Sequence, residues 1–183
     1  MRHRGAGPIV YDPVARLLHW VNASLALITI LLAWGISGAP RHSDARTWLM
    51  TLHASFGIVI LALMMVWVGW RLRHASPSLR PALTWIEVVL ARGTQLAIVV
   101  LFVVMPISGY VSLAAAGKAV MLFGLVLLPL LVPESGRLSQ FAIALHLSGE
   151  FLIYGLVAFH IAAALLHGFI RRDDILGRML PPS

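Results

Sequence analysis

The chain has 183 residues, of which 60% are hydrophobic and only 11% charged, with a mean hydropathy of +0.89. A soluble domain typically carries about 25% charged residues, so this composition excludes an ordinary water-soluble fold. The absence of cysteine excludes disulfides, cysteine-ligated iron–sulfur clusters and thioether-attached haem.

The basic balance, a net charge of +7 with pI ≈ 11.3, does not point to nucleic acid, because the arginines fall between apolar spans. Arg2, Arg4, Asp12, Pro13 and Arg16 precede or open the first span, which covers about residues 14–37 and ends at Gly35, Gly38 and Pro40. No small-residue cleavage pattern closes it, so it is expected to be a retained helix and not a signal peptide. The second span covers about 48–72, with Trp67 and Trp70 as interfacial aromatics. After a short linker containing Pro77 and Pro81, the third covers about 85–113, with Pro106 late in it as an expected kink. The fourth covers about 140–169 and stops at Arg171, Arg172, Asp173 and Asp174. Each is long enough for a hydrocarbon core, which takes about 20 apolar residues.

A fifth apolar stretch, residues 119–132, is too short to cross and is interrupted by Gly124 and Pro129. It is expected to lie at the membrane surface. Charge counting agrees. With four spans, ten Lys/Arg fall on one side (Arg2, Arg4, Arg16, Arg71, Arg73, Arg80, Arg92, Arg171, Arg172, Arg178) and four on the other (Arg41, Arg46, Lys118, Arg137). With five spans the split is eight against six. The expected fold is therefore all-α: a single transmembrane four-helix bundle over residues 1–183, with both termini cytoplasmic.

Four histidines lie in or at the rim of these spans: His19, His53, His146 and His160. A polar ring in hydrocarbon requires a partner, and bound iron is one. His146 and His160 are 14 residues apart, which on a helix puts them on nearly one face and about 21 Å apart. With the topology above, His19 and His160 lie at the inner level, His53 and His146 at the outer. Each pair can clamp one non-covalent b haem, which gives two axially bis-histidine sites. Small residues one turn further along each helix (Ala23, Gly57, Gly149, and Ala163 with Ala164) leave room for a flat macrocycle. The pairs lack the neighbouring thiolates or carboxylates of common zinc and iron sites, apart from Glu150, which reads as an interfacial acid.

Several sequence motifs carry a resemblance. The opening Tyr11-Asp12-Pro13-Val14-Ala15-Arg16-Leu17-Leu18-His19-Trp20 resembles the start of the bacterial cytochrome b561 family. Leu52-His53-Ala54-Ser55-Phe56-Gly57 is similar to its second ligand motif. Leu145-His146, Phe159-His160 and Ala162-Ala163-Ala164-Leu165-Leu166-His167 resemble its fourth helix, and the ending from Arg172 to Pro181 also fits. The resemblance implies a four-helix membrane cytochrome with two b haems on residues matching His19, His53, His146 and His160, and a quinone partner. One branch oxidises superoxide and reduces ubiquinone. Many relatives have adjacent histidines where this chain has His167-Gly168, and an aromatic where it has Leu145.

The expected activity is thus electron transfer from a periplasmic donor, superoxide or a protein, to ubiquinone. The alternative is a haem-bearing anchor that relays electrons between a partner dehydrogenase or hydrogenase and quinone; such anchors usually bring a fifth span and larger loops. The outer cations can steer a small anion or merely contact headgroups. His167, seven residues past His160, can bind quinone or donate a proton, or can face headgroups. Arg16, Arg71 and Arg73 can pair with haem propionates or serve as topology determinants.

Overall fold

The computed structural model describes residues 10–74, 77 and 83–180. Four helices make up most of it: α1 (Pro13–Gly38), α2 (Asp44–Arg73), α3 (Trp85–Ala115) and α4 (Gly136–Leu165). All four are long and apolar enough to cross a membrane. Most of their apolar surface faces outward. Leu17, Leu31, Leu96, Phe151 and Ile170 are each at least 60% exposed. In water such a surface would aggregate; in lipid it is solvated. The chain is a multi-pass membrane protein with an all-α four-helix bundle.

Side-chain caps set where the helices begin. Asp12, Ser43, Thr84 and Ser135 each accept a backbone N–H of the first turn, and Thr84 forms a reciprocal capping box with Glu87. For this reason α2 and α4 start four residues before their apolar runs do. Arg46 closes the opposite end of α1, donating to the free carbonyls of Ile36 and Ala39. Glu87 pairs with Arg171 and ties the start of α3 to the end of the fourth span.

The short apolar stretch is a two-stranded antiparallel hairpin, β1 (Val120–Leu122) with β2 (Val126–Leu128). Its tip uses positive φ at Phe123 (51°) and Gly124 (72°). Leu125 and Leu127 point outward, at 84% and 63% exposure, which suits a membrane surface. The inner side is pinned to α2. The fully buried Ser55 hydroxyl accepts the Phe123 N–H at 2.7 Å and donates to the Thr51 carbonyl at 2.7 Å. Phe56 packs edge-on against Phe123, and Trp48 lies against Gly124.

Packing between the helices is uneven. Backbones approach closely between α1 and α2, α2 and α3, and above all α3 and α4, whereas α4 stands off from α1 and α2. An apolar core of Ala26, Ile60, Met64 and Phe102, with Ile153 packed on it, fills the bundle's middle. Ala26, Ile60 and Ile153 each lie seven residues, two turns, from a membrane histidine. The core therefore sits between two histidine levels.

Candidate functional site

The structure brings the four histidines together as two pairs. His19 and His160 have ring centroids 6.2 Å apart, and His53 and His146 have theirs 6.0 Å apart. A coordinating imidazole nitrogen lies roughly 1.1 Å from its ring centroid and binds a metal at about 2 Å, so two trans imidazoles on one iron have centroids about 6.2 Å apart. Both pairs have that spacing. Among the described residues no group of three or more His, Cys, Asp or Glu assembles, so neither pair belongs to a larger protein-only metal cluster. The standoff between α4 and the α1–α2 layer leaves a gap on the outer side.

At the outer level that gap is a cavity of about 370 Å³, lined by Ala33, Arg46, His53, Gly57, Gly109 and His146, among others. The buried Val120 of the hairpin closes one side of it. The two ligand candidates are held by their far nitrogens. His53 Nδ1 lies 3.1 Å from the Thr29 carbonyl, and His146 Nδ1 lies 2.9 Å from the Met105 carbonyl and 3.2 Å from Ser108 Oγ. A carbonyl only accepts, so Nδ1 carries the proton in each ring and Nε2 keeps the lone pair. Such second partners fix the ring of a metal-binding histidine.

Gly109 belongs to this arrangement. A Cβ there would fall 3.1 Å from His146 Cε1 and 3.2 Å from Nδ1. Gly57 faces Pro106 with ordinary clearance, while the space at Gly149 is taken by the Met105 sulfur. Sequence reasoning missed Gly109, Ser108 and the two carbonyl acceptors. The one legible signal was a glycine close after Pro106. Glu150 also lines the outer cavity, and Tyr154 O–H donates to its Oε1 at 2.6 Å.

At the inner end the C-terminal segment lies across the start of α1. Arg16 donates to the Leu180 carbonyl at 2.7 Å, Trp20 Nε1 to Met179 O at 2.9 Å, and Tyr11 N–H to Arg178 O at 3.2 Å. Asp12 accepts both the Ala15 N–H and the Trp70 indole N–H at 2.9 Å. Burial raises its pKa, but the hydrogen bonds and nearby His74 outweigh that and hold it below the ordinary carboxylate value. Arg71 stacks over Tyr11 and Trp67, with a buried Nη1 that has no hydrogen-bond partner among the described residues. A buried guanidinium nitrogen of this kind suits an acidic group such as a propionate. His167 bonds Asp173, Nδ1 to Oδ2, at 2.6 Å.

A family model described as prokaryotic cytochrome b561 matches residues 10–182. The chain belongs to this family. Cytochromes of the family are membrane haem b electron-transfer proteins, generally with two haems. Among curated relatives, the probable superoxide oxidase CybB of Yersinia pestis is 33% identical over 168 residues, covering 90% of this chain and 92% of its own. Cytochrome b561 homolog 2 of Escherichia coli K12 is 29% identical, covering 96% and 94%. Homolog 1 of the same organism is 26% identical, covering 90% and 93%. The haem b electron-transfer function and the geometry agree: paired imidazoles, a gap between helix layers and an unsatisfied buried cation all fit the group.

Proposed function

We propose that this cytochrome carries single electrons across the membrane from a donor at the outer face to a quinone at the inner face. His53 and His146 would hold an outer haem b, and His19 and His160 an inner one. The observation that carries this reading is the twofold imidazole spacing, 6.0 and 6.2 Å, at positions 14 residues apart on one helix. When bound, each haem would supply a one-electron couple, held by a histidine from each of two helices. The chain's own part is to fix the ligands, keep water out through the core around Ile60 and Phe102, and manage charge and protons at the two ends.

Superoxide is the donor this reading favours. The Yersinia pestis relative is named a probable superoxide oxidase, and Arg41, Lys118 and Arg137 give this chain's outer loops cations that attract a small anion. Arg46 lines the cavity but spends its donors on the end of α1, so its share in steering is smaller. Two superoxide ions would each lose one electron and leave as dioxygen. One ubiquinone would take up those two electrons and two protons and leave as quinol. His167 would pass protons or bind a quinone carbonyl at the inner end. Arg71, with its unsatisfied nitrogen, is a better propionate partner than Arg16, which the tail engages. The excess of arginine in the segments flanking α1, α2 and α4 supports cytoplasmic termini in a bacterial inner membrane.

The test is haem stoichiometry and spectroscopy of purified protein, with two haems b per chain expected. His146→Ala should lose the outer haem and His160→Ala the inner, with the other haem's spectrum kept. One haem per chain, or loss of both in each well-folded variant, defeats the pairing. Anaerobic reduction by a superoxide source, reversed by added ubiquinone, tests donor and acceptor.

A further inference from the structure

His167 stands where the fourth span ends, and the helix changes form there. Leu166–Arg171 is a π-helical turn, and Arg172 takes a left-handed conformation (φ 52°, ψ 39°). In a continuing α-helix a residue six positions on would lie about 240° round the axis and roughly 9 Å further along, out of reach. The wide turn and the reversal instead fold the chain back. The Asp173 N–H donates to the His167 carbonyl at 3.1 Å, and Asp173 Oδ2 comes to 2.6 Å from His167 Nδ1. The carboxylate is held from its other side by the Ile175 N–H, 3.1 Å from Oδ1. Arg171 Nε is 4.0 Å from Oδ2, with its guanidinium paired to Glu87. Both side chains are largely covered, at 12% and 20% exposure.

Gly168 lets this fold-back close. A Cβ there would fall 2.6 Å from Leu176 Cδ2. A side chain at this position would require the Leu176 side chain to shift.

We propose that Asp173 is the positioning residue of a proton-transfer site at the inner face, and that it holds His167 so that Nε2 meets a quinone headgroup. The proposal rests on the reading of His167 as the quinone-facing group. A carboxylate oxygen accepts only from a protonated nitrogen, so Asp173 keeps the proton of neutral His167 on Nδ1 and the lone pair on Nε2. Nε2 can then take a proton from the cytoplasm, and the adjacent carboxylate stabilises the resulting imidazolium. Passing that proton to a quinone oxygen returns the ring to its starting tautomer. Two such transfers, with two electrons from the membrane haem chain, convert one quinone to quinol, so protons and electrons balance. π-Helical turns are frequent at functional sites, and here the turn is what brings the carboxylate into range.

The experiment uses purified haem-loaded protein, reduced anaerobically and mixed with a short-chain ubiquinone. Asp173→Asn is expected to slow re-oxidation by about 10–100-fold, within the range of general acid–base contributions, and to leave the haem spectra and the rate of reduction unchanged. In ¹⁵N-histidine spectra, His167 should be the Nδ1–H tautomer in the native protein and lose that preference in Asp173→Asn. Asp173→Glu, which keeps the acceptor, should keep the tautomer and recover most of the rate. Native re-oxidation rates or an unchanged tautomer in Asp173→Asn would overturn the proposal. So would slow re-oxidation in Asp173→Glu with the tautomer intact. His167→Gln separates the two layers. If it is slow while Asp173→Asn is not, only the positioning role falls. If it re-oxidises at the native rate, the quinone-facing reading falls and this proposal falls with it.

Discussion

Replacing Gly109 with alanine should weaken the outer haem and leave the inner one alone. The new Cβ would lie 3.1 Å from His146 Cε1 and 3.2 Å from Nδ1, where ordinary contacts begin near 3.4 Å, so the ring must retreat by a few tenths of an ångström. Met105, Ser108 and Gly109 are on one turn of α3, so the ring also moves away from its own acceptor, now at 2.9 Å. Weakening that bond costs part of about 1 kcal/mol, and overpacking adds roughly 1–3 kcal/mol. A total near 1–3 kcal/mol corresponds to about 5- to 150-fold weaker retention of the outer haem. The assay is the rate of haem transfer to a scavenging apoprotein, with low-temperature EPR resolving the two low-spin signals. Gly93→Ala is the control, because nothing lies within 4 Å of a Cβ there and the position is exposed. Equal loss of both haems, no change in either, or the same effect in Gly93→Ala would refute the argument.

The two levels should also differ in redox potential. Both outer rings donate Nδ1–H to carbonyls, while among the described residues neither His19 nor His160 has a comparable bond. A donating Nδ1–H makes the ligand more basic and favours ferric iron, so the outer couple should titrate at the lower potential in a spectroelectrochemical experiment. Ser55→Ala should strand the Phe123 N–H, whose acceptor at 2.7 Å is a fully buried hydroxyl, and cost about 1–3 kcal/mol. Faster hydrogen exchange confined to the hairpin would register it; unchanged exchange would not fit. For Asp12 the folded pKa is depressed, so its contribution is complete above the unfolded value of about 3.9 and is lost as pH falls through the lower folded value. Acid unfolding of the native protein should therefore show a component below about pH 4 that Asp12→Asn lacks.

Hydropathy and length made the four spans legible, because lipid imposes the same length on each and forbids unpaired backbone. The two histidine levels were also visible, since a 14-residue repeat is nearly in phase with the helix and antiparallel spans fix relative depth. What stayed hidden depends on backbone groups and long-range returns. The Thr29 and Met105 carbonyls that hold His53 and His146 have no sequence signature, because every residue has one. The hairpin depends on positive φ at Phe123, a residue that gives no warning of it. Arg16 meets Leu180, 164 residues away, and only the path of the C-terminal segment makes that contact. Helix starts were read late at Ser43 and Ser135 because caps are polar and hydropathy discounts them.

Under the proposed pairing, a division of labour among the helices would let four spans serve two sites. The long α4 carries one histidine for each level. The antiparallel α1 and α2 meet it from opposite ends, so each needs only one. In that pairing α3 would supply no ligand, and at the outer pair it supports His146 with an acceptor from Met105, a hydroxyl from Ser108 and clearance at Gly109. Between the levels, Ala26, Ile60, Phe102 and Ile153 form an apolar cluster. Electrons can cross such an apolar layer by tunnelling between closely spaced redox groups, while protons need a chain of donors and acceptors. Under the proposed quinone reduction at the inner face, its protons would be collected there, where His167 and Asp173 form their pair.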